Sequence, residues 1–184
     1  FEPVEEETVD ITYRVFLWMA FAGLEDKDAI RVTSDCVDLK NLRINFEGHS
    51  YEIYKECIED FEKACTLTSF QYKHPNYTTY RDRAEGNLIM RGIRTPTVDL
   101  KTIRPVINKR FSVDDASNET SSRQKSRLSY RRIFLSGVFY RAYERERAGL
   151  PVDFSDFVAL SIERKEKTKK YTVTKTRTLT TIAN

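Results

Sequence analysis

The sequence predicts an α+β fold that is mainly helical: a helical core, a few short strands, and a C-terminal β-strand or arm. Three observations lead to this prediction. Apolar residues recur at helical spacing in three segments, short runs of β-branched and aromatic residues stand between turn residues, and the C-terminal segment alternates with a period of two. The 184 residues are consistent with a single domain, in which 1–10 form an acidic leader and 167–184 the Thr-rich strand or arm.

The first predicted element is the apolar run Ile11–Leu24, which is 14 residues long. A membrane span needs about 20 apolar residues, and this run is interrupted by Arg14. We therefore predict a buried helix that closes at Gly23, because glycine readily adopts the left-handed backbone found at helix ends.

Two short strands and a second helix follow. β-branched residues predict strands over Ala29–Ser34 and Leu42–Glu47, and Gly48 opens a turn. Ser50 is a suitable N-cap, so we predict a helix over 51–65. Its apolar face would consist of Tyr54, Cys57, Ile58, Phe61 and Cys65.

The middle of the chain, 66–105, differs in composition from the segments before it. Residues 66–86 mix aromatic and basic side chains, and 87–105 are interpreted as strand or extended chain because Gly92, Pro96 and Pro105 interrupt them. A long helix is predicted over 121–148, where Gly149 and Pro151 end it. A shorter helix is predicted over 156–163.

The C-terminal segment alternates, with Thr at 172, 174, 176, 178 and 180. This period of two is typical of a strand. Such a segment can pair within its own domain or add to the sheet edge of a neighbouring copy, and the sequence leaves both arrangements open.

Charge is distributed unevenly along the chain. Residues 1–70 carry 7 basic and 16 acidic side chains, a net charge of −9, whereas 71–184 carry 24 and 12, a net charge of +12. The basic part is expected to attract polyanions, and the acidic part of one copy to attract the basic part of the next. Contacts of this head-to-tail kind build rings or open filaments.

The long helix is the main candidate for binding. On a helical wheel Arg123 and Arg141 share one angle and Arg127 and Arg145 another about 40° away, with Phe134 between them. These four arginines form a stripe along the helix. Tyr130 lies beside this stripe, and Arg131 belongs to the same basic helix. A separate apolar arc, predicted to face the core, contains Leu128, Leu135, Val138, Phe139 and Ala142.

A row of guanidinium groups beside aromatic rings suits a single-stranded nucleic acid, whose phosphates pair with arginine and whose bases stack on rings. A second, weaker cluster contains Tyr77, Tyr80, Arg81 and Arg83. The alternatives are that the stripe faces a protein partner, or that it is a solvated helix surface in which Glu144 and Glu146 neutralise the cations.

No catalytic signature is present. His49 and His74 are the only histidines, and neither has a nucleophile at a productive spacing; the pair Asp114 and Asp115 lacks supporting carboxylates for a metal. No nucleotide-binding glycine motif occurs, and the three cysteines form no CxxC pair. We expect no enzyme activity, no cofactor, no metal and no small-molecule substrate, in a reducing intracellular setting.

Three stretches resemble coat proteins of helical plant RNA viruses. In "RINFEGHSYEIY" Arg43, Phe46 and Tyr51 resemble the strand, turn and helix start of the rod-shaped family, and "VDDA" at 113–116 precedes a long Arg-bearing helix, as in that family. "RLSYRRIFLSGVFYRAY" is similar to the Arg-and-aromatic helix of flexible filamentous coats.

The resemblance implies a helical bundle core with an RNA groove. Asp115 would then be an RNA-groove or inter-subunit residue, and Arg123 and Arg127 would contact phosphates. It also implies location in the virion and the host cytoplasm.

The sequence therefore predicts a nucleic-acid-binding structural protein that assembles with its own copies, a viral coat or nucleocapsid subunit that packages RNA without sequence preference. The alternative is a matrix-like or protein-interaction module whose basic half contacts an acidic membrane or partner.

Overall fold

The computed structural model describes residues 7–73, 76–111 and 128–152. Within them the fold is α+β and mainly helical, as predicted, with about half of the residues in helices. The helices are α1 (Glu7–Ala22), α2 (Asp26–Ala29), α3 (Ile58–Thr66), α4 (Leu100–Arg110) and α5 (Tyr130–Arg147). The strands are β1 (Val37–Asp38), β2 (Arg43–Phe46), β3 (His49–Glu52), β4 (Ser69–Lys73) and β5 (Thr78–Asp82).

The chain divides into two compact units, Phe1–Gly137 and Val138–Asn184, and the boundary falls within α5. The predicted helix over 156–163 and the predicted strand or arm over 167–184 lie outside the described residues. In the described ranges no helix has the length and apolar character needed to cross a membrane.

Helix α1 is the centre of the core of the first unit. Its side chains Val15, Phe16 and Met19 are fully buried, because apolar residues at i, i+1 and i+4 share one side of a helix. The helix closes at Gly23, which has a φ of 104°, and the Leu24 N–H donates to the Met19 carbonyl at 3.0 Å. The predicted helix and its glycine closure are confirmed.

Polar side chains join α1 to α3 at the border of this core. The Arg14 guanidinium donates to the Asp60 carboxylate, with Nη2 and Oδ1 2.7 Å apart, and the Trp18 indole donates to the same carboxylate at 3.2 Å. Arg14 therefore serves as an anchor between two helices, which explains a charge inside an otherwise apolar run.

The predicted strand at 42–47 and its turn are confirmed, but the predicted helix start at Ser50 is wrong. β2 and β3 pair antiparallel around a two-residue turn, Glu47 and Gly48, both with positive φ, as type I′ hairpins require. Tyr51 and Ile53 are buried whereas Ser50 and Glu52 are exposed. This period of two makes 49–52 a strand, so the fragment that resembles a coat-protein helix start is a hairpin here.

The predicted strand at 29–34 is also wrong. Ala29 ends the short helix α2, and Ala29 and Val32 are both fully buried, a spacing of three that suits a helical turn better than a strand. The extended backbone is limited to Thr33, which bridges Leu88. The order in the three-stranded sheet is β1-β2-β3.

Strands β4 and β5 form a separate antiparallel hairpin that the sequence did not predict as strands. Phe70 pairs with Arg81 and Gln71 with Tyr80. One face of the hairpin contains the buried Phe70 and packs against α1, and the other is turned outward.

Helix α4 overturns the prediction of extended chain up to residue 105. The Asp99 side chain accepts a hydrogen bond from the Lys101 N–H at 2.9 Å and caps the helix, while Ile103 and Ile107 are buried. Pro105 lies inside α4 on its exposed side. Because proline removes only the bond to the Lys101 carbonyl there, water can replace that bond and the helix continues.

Helix α5 begins in the first unit and ends in the second. In the first unit Gly137 lies against α1: a Cβ at this position would be 2.7 Å from the carbonyl carbon of Phe21. In the second unit the helix ends as predicted at Gly149, with a φ of 70°. The Gly149 and Leu150 N–H groups donate to the Glu146 and Arg145 carbonyls, both at 2.9 Å, which is a Schellman closure.

Candidate nucleic-acid interface

Two arginines and two tyrosines from four elements of the first unit form two cation–ring pairs, which we call the Arg–Tyr ladder: Arg81, Tyr72, Tyr13 and Arg110. The Arg81 guanidinium lies 5.4 Å from the centre of the Tyr72 ring. The Arg110 guanidinium lies 5.8 Å from the centre of the Tyr13 ring. Strand β4, which contains Tyr72, packs against α1, which contains Tyr13. The ladder therefore connects β4–β5, through α1, to the last turn of α4.

Burial sets the electrostatics of the ladder. It raises the pKa of Tyr13, and the neighbouring Tyr72 and Asp10 raise it further. Burial also raises the pKa of Asp10, which forms an ion pair with Arg110, and lowers the pKa of Arg110. Asp10 therefore offsets the charge of Arg110, whereas the exposed Arg81 makes no ion pair with any described residue.

The outer face of the β4–β5 hairpin presents an aromatic ring among polar groups. Tyr80 is 66% exposed and lies directly across from Gln71, while Lys73 is two residues further along the same face. Tyr77, beside the strand, is 59% exposed. A flat ring exposed to this extent and flanked by a cation can receive a stacked base.

The outer face of α4 is basic. Residues 87–111 contain six basic side chains and one acidic side chain. Arg104 is paired with Asp26, but Lys101 and Lys109 are exposed and form no ion pair within the described ranges. Eight residues apart, they lie about 12 Å from each other along the helix. The position of these lysines on a helix was not predicted, because Pro105 indicated extended chain; the spacing of Ile103 and Ile107 after Asp99 was the available signal.

The structure places Arg83 in the core, so the prediction that it contacts nucleic acid is corrected. Its side chain is 6% exposed and donates to the carbonyls of Ala64, Leu67 and Ile89. Burial lowers its pKa to about 10, so it remains charged at neutral pH. A cation that bonds three backbone carbonyls holds segments of the chain together and cannot reach a phosphate.

Tyr130 and Phe134 of the predicted stripe also face inward. The Tyr130 hydroxyl donates to the Leu24 carbonyl at 2.9 Å, and its ring centre lies 4.5 Å from that of Phe16. Phe134 is half-buried and packs on the core. These rings stabilise the first unit and are not available for base stacking.

Removal of the Tyr130 hydroxyl tests this position. We expect Tyr130→Phe to lower the free energy of unfolding by about 1–2 kcal/mol, because the Leu24 carbonyl loses its donor. Burial raises the pKa of Tyr130 well above 10. The unfolded chain then ionises first as pH rises, so this contribution is full below about pH 10 and is lost above it. Urea unfolding should show a smaller difference in the free energy of unfolding between the wild type and Tyr130→Phe at pH 10.5 than at pH 7. An equal difference at the two pH values would contradict the buried hydrogen bond of Tyr130.

In the second unit the predicted core face of α5 is confirmed at Val138 and Ala142, which are buried, and is wrong at Phe139. Arg141 and Arg145 are half-buried, next to the buried Val138 and Ala142. Phe139, predicted to face the core, is 45% exposed. The stripe residues Arg141 and Arg145 therefore lie at the border of the inner side of the helix.

Of the remaining predicted residues, Arg131 is exposed, as are Tyr80 and Arg81. Arg123, Arg127 and Asp115 lie outside the described residues, and their predicted roles stay predictions. Among the parts of the chain that the structure describes, no cluster of three or more His, Cys, Asp or Glu side chains could hold a metal ion.

Comparison with known proteins gives no relatives. No family model, no curated protein and no solved structure matches the chain.

Proposed function

We propose that the chain is a structural protein that binds single-stranded nucleic acid without sequence preference and assembles with its own copies, as a coat or nucleocapsid subunit does around RNA. The observation that carries this proposal is the exposed Tyr80 ring, with Lys73 on the same outer face of the β4–β5 hairpin. The exposed Arg81 and the exposed lysines of α4 add positive charge. We call these residues together the hairpin–α4 surface. It differs from the stripe on α5 that the sequence predicted.

The chemistry of this surface fits a flexible polyanion. Arg81, Lys101 and Lys109 supply positive charge for phosphates, and Tyr80 and Tyr77 supply ring faces for bases. Stacking requires bases that are unpaired, so a single strand should bind more tightly than a duplex. Charge contacts should make binding weaken as salt rises, in proportion to the phosphates neutralised.

The test measures binding of a labelled oligouridine by fluorescence anisotropy at several salt concentrations. The double variant Lys101→Glu/Lys109→Glu should bind about 10- to 100-fold more weakly. Loss of two phosphate contacts should also reduce the salt slope by about 1.4, at roughly 0.7 per contact for single strands. Tyr80→Ala should weaken binding about 5- to 100-fold, as expected for one lost base stack, with an unchanged salt slope.

The matched control is Lys27→Glu/Lys55→Glu, which makes the same change of charge at exposed lysines in the acidic part of the chain. It should leave the salt slope unchanged. If both double variants weaken binding equally, net charge governs binding and the hairpin–α4 surface is not the site. Tight binding to anionic vesicles, with none to oligouridine, would favour the matrix-like alternative instead.

A further inference from the structure

The outer edge of β5 is an open strand edge in the first unit. β4 and β5 form a sheet of only two strands, and every residue of β5 except Thr79 is exposed. The Arg83 N–H donates to the Thr68 carbonyl at 2.8 Å. Because residues directly opposite each other alternate between bonded and non-bonded pairs, Thr79 and Arg81 bond β4. The backbone groups of the other three residues of β5 point away from β4: Thr78, Tyr80 and Asp82.

These outward N–H and C=O groups form no hydrogen bond with any described residue. β5 also lacks two of the devices that commonly prevent strand pairing, a proline and a bulge, because its five pairs with β4 run without interruption. Its one cation, Arg81, is turned back over the Tyr72 ring of β4. A row of unpaired backbone groups of this kind is a template for another extended segment.

The partner that fits this edge best is the same edge of a second copy. A second β5 is already extended, and it carries one basic and one acidic side chain, Arg81 and Asp82. The other extended candidate, the Thr-rich segment 167–184, carries five basic side chains and no acidic one. Beside Lys73 and Arg81 that segment would add cations to cations, which is unfavourable between neighbouring strands.

We propose that two copies pair edge to edge through β5, antiparallel and related by a two-fold axis at Tyr80. In this register Tyr80 faces Tyr80 of the other copy and Thr78 faces Asp82, so all the outward groups meet and each pair exchanges two backbone hydrogen bonds.

Other registers of the same two strands are less favourable. A shift of one residue would set outward groups against groups already bonded to β4. An axis at residue 81 would place Arg81 directly opposite Arg81 of the other copy, where like charges repel. An axis at residue 79 would leave Asp82 without a partner.

The pairing joins two hairpins into one antiparallel sheet of four strands, with β5 of each copy in the centre. Sheets of three or more strands are more stable than a lone hairpin. The two Tyr80 rings then lie side by side on the outer face, with Cα atoms about 5.5 Å apart. The contact uses backbone edges and leaves that face open, so it does not rest on the proposed function.

Sedimentation equilibrium of the full-length chain, free of nucleic acid, tests the edge. The wild-type chain should form dimers. Thr78→Pro removes an outward N–H at the first residue of β5, where proline is tolerated, and should weaken dimerisation about tenfold or more. The matched control is Ser69→Pro, which removes an outward N–H at the first residue of β4, on the other edge of the same hairpin. It should leave the dimer unchanged.

Disulfide cross-linking tests the register. Thr79 faces Arg81 of the other copy in a non-bonded pair, with Cα atoms about 4.5 Å apart, within the range of a disulfide. A mixture of Thr79→Cys and Arg81→Cys should therefore form a covalent dimer under mild oxidation. Either variant alone should not, because its two copies of the position lie about 7–8 Å apart. The wild-type chain measures the background from the native cysteines.

Each contrary outcome identifies what is wrong. A monomeric wild-type chain overturns the interface, and a covalent dimer of Thr79→Cys alone or of Arg81→Cys alone overturns the register. Equal weakening by Thr78→Pro and Ser69→Pro would mean that the edge of β5 is not the contact. If Thr78→Pro lowers the mass but the mixture forms no covalent dimer, another segment such as 167–184 occupies the edge and the proposal is wrong. Oligouridine binding is measured separately, so its absence would leave the interface standing.

Discussion

Replacement of Arg83 by alanine is expected to lower the free energy of unfolding by about 3–5 kcal/mol. This residue bonds the carbonyls of Ala64 and Leu67 at the end of α3 and, at 2.5 Å, the carbonyl of Ile89. Its removal takes this donor from the carbonyls of Ala64 and Ile89, at a cost of about 1–3 kcal/mol each, whereas the Leu67 carbonyl keeps its bond from Arg91. The guanidinium also lies 5.3 Å from the centre of the Phe70 ring, so a cavity adds to the loss.

Urea unfolding followed by circular dichroism measures this effect. The control is Arg81→Ala, two residues earlier, where the arginine is exposed and contacts one ring. It should change stability by less than about 1 kcal/mol but weaken oligouridine binding. The opposite ranking, with Arg83→Ala stable and Arg81→Ala unfolded, would show that the assignment of these two arginines is inverted.

Gly137→Ala should also be strongly destabilising, by about 2–3 kcal/mol or more. The added methyl group would overlap the carbonyl group of Phe21 and lie 2.9 Å from its Cα. Backbone cannot move aside as a flexible side chain can, so α1 and α5 must separate and the packing of Tyr130 on Phe16 loosens. The overlap outweighs the gain of about 1 kcal/mol that alanine normally brings to a helix interior.

The control for this variant is the neighbouring Ser136→Ala. Ser136 is exposed and its hydroxyl bonds the Arg132 carbonyl within the helix, so alanine should be neutral or slightly stabilising. Thermal melting of both proteins distinguishes the close approach from a general sensitivity of α5. Equal melting temperatures for the wild type and Gly137→Ala would mean that the helices do not cross at this residue.

Assembly around a nucleic acid needs a contact between copies. The opposite charges of residues 1–70 and 71–184 offer an attraction of the head-to-tail kind, and such contacts build rings or open filaments. The hairpin–α4 surface of each copy would then contact the nucleic acid.

The sequence by itself determined the features that depend on local order. The helix at 11–24 with its closing Gly23, the turn at Gly48, and the end of α5 at Gly149 follow from periodicity and from the backbone preferences of glycine. The mainly helical α+β class follows from the same patterns. The separation of charge along the chain is likewise a property of composition, and it does not depend on folding.

Tertiary structure decided which side of each element is buried. A helical wheel groups Arg141 and Arg145 with Tyr130, but it does not say that this side turns inward. The orientation of α5 depends on two contacts with distant residues. The Leu24 carbonyl accepts a hydrogen bond from Tyr130, and the backbone of Phe21 leaves room only for a glycine at position 137. Likewise Arg81 and Arg83 are alike in sequence, and yet one is exposed and the other bonds three carbonyls. Partners that lie far apart in the chain set these outcomes, because burial is a property of the assembled core and not of the segment.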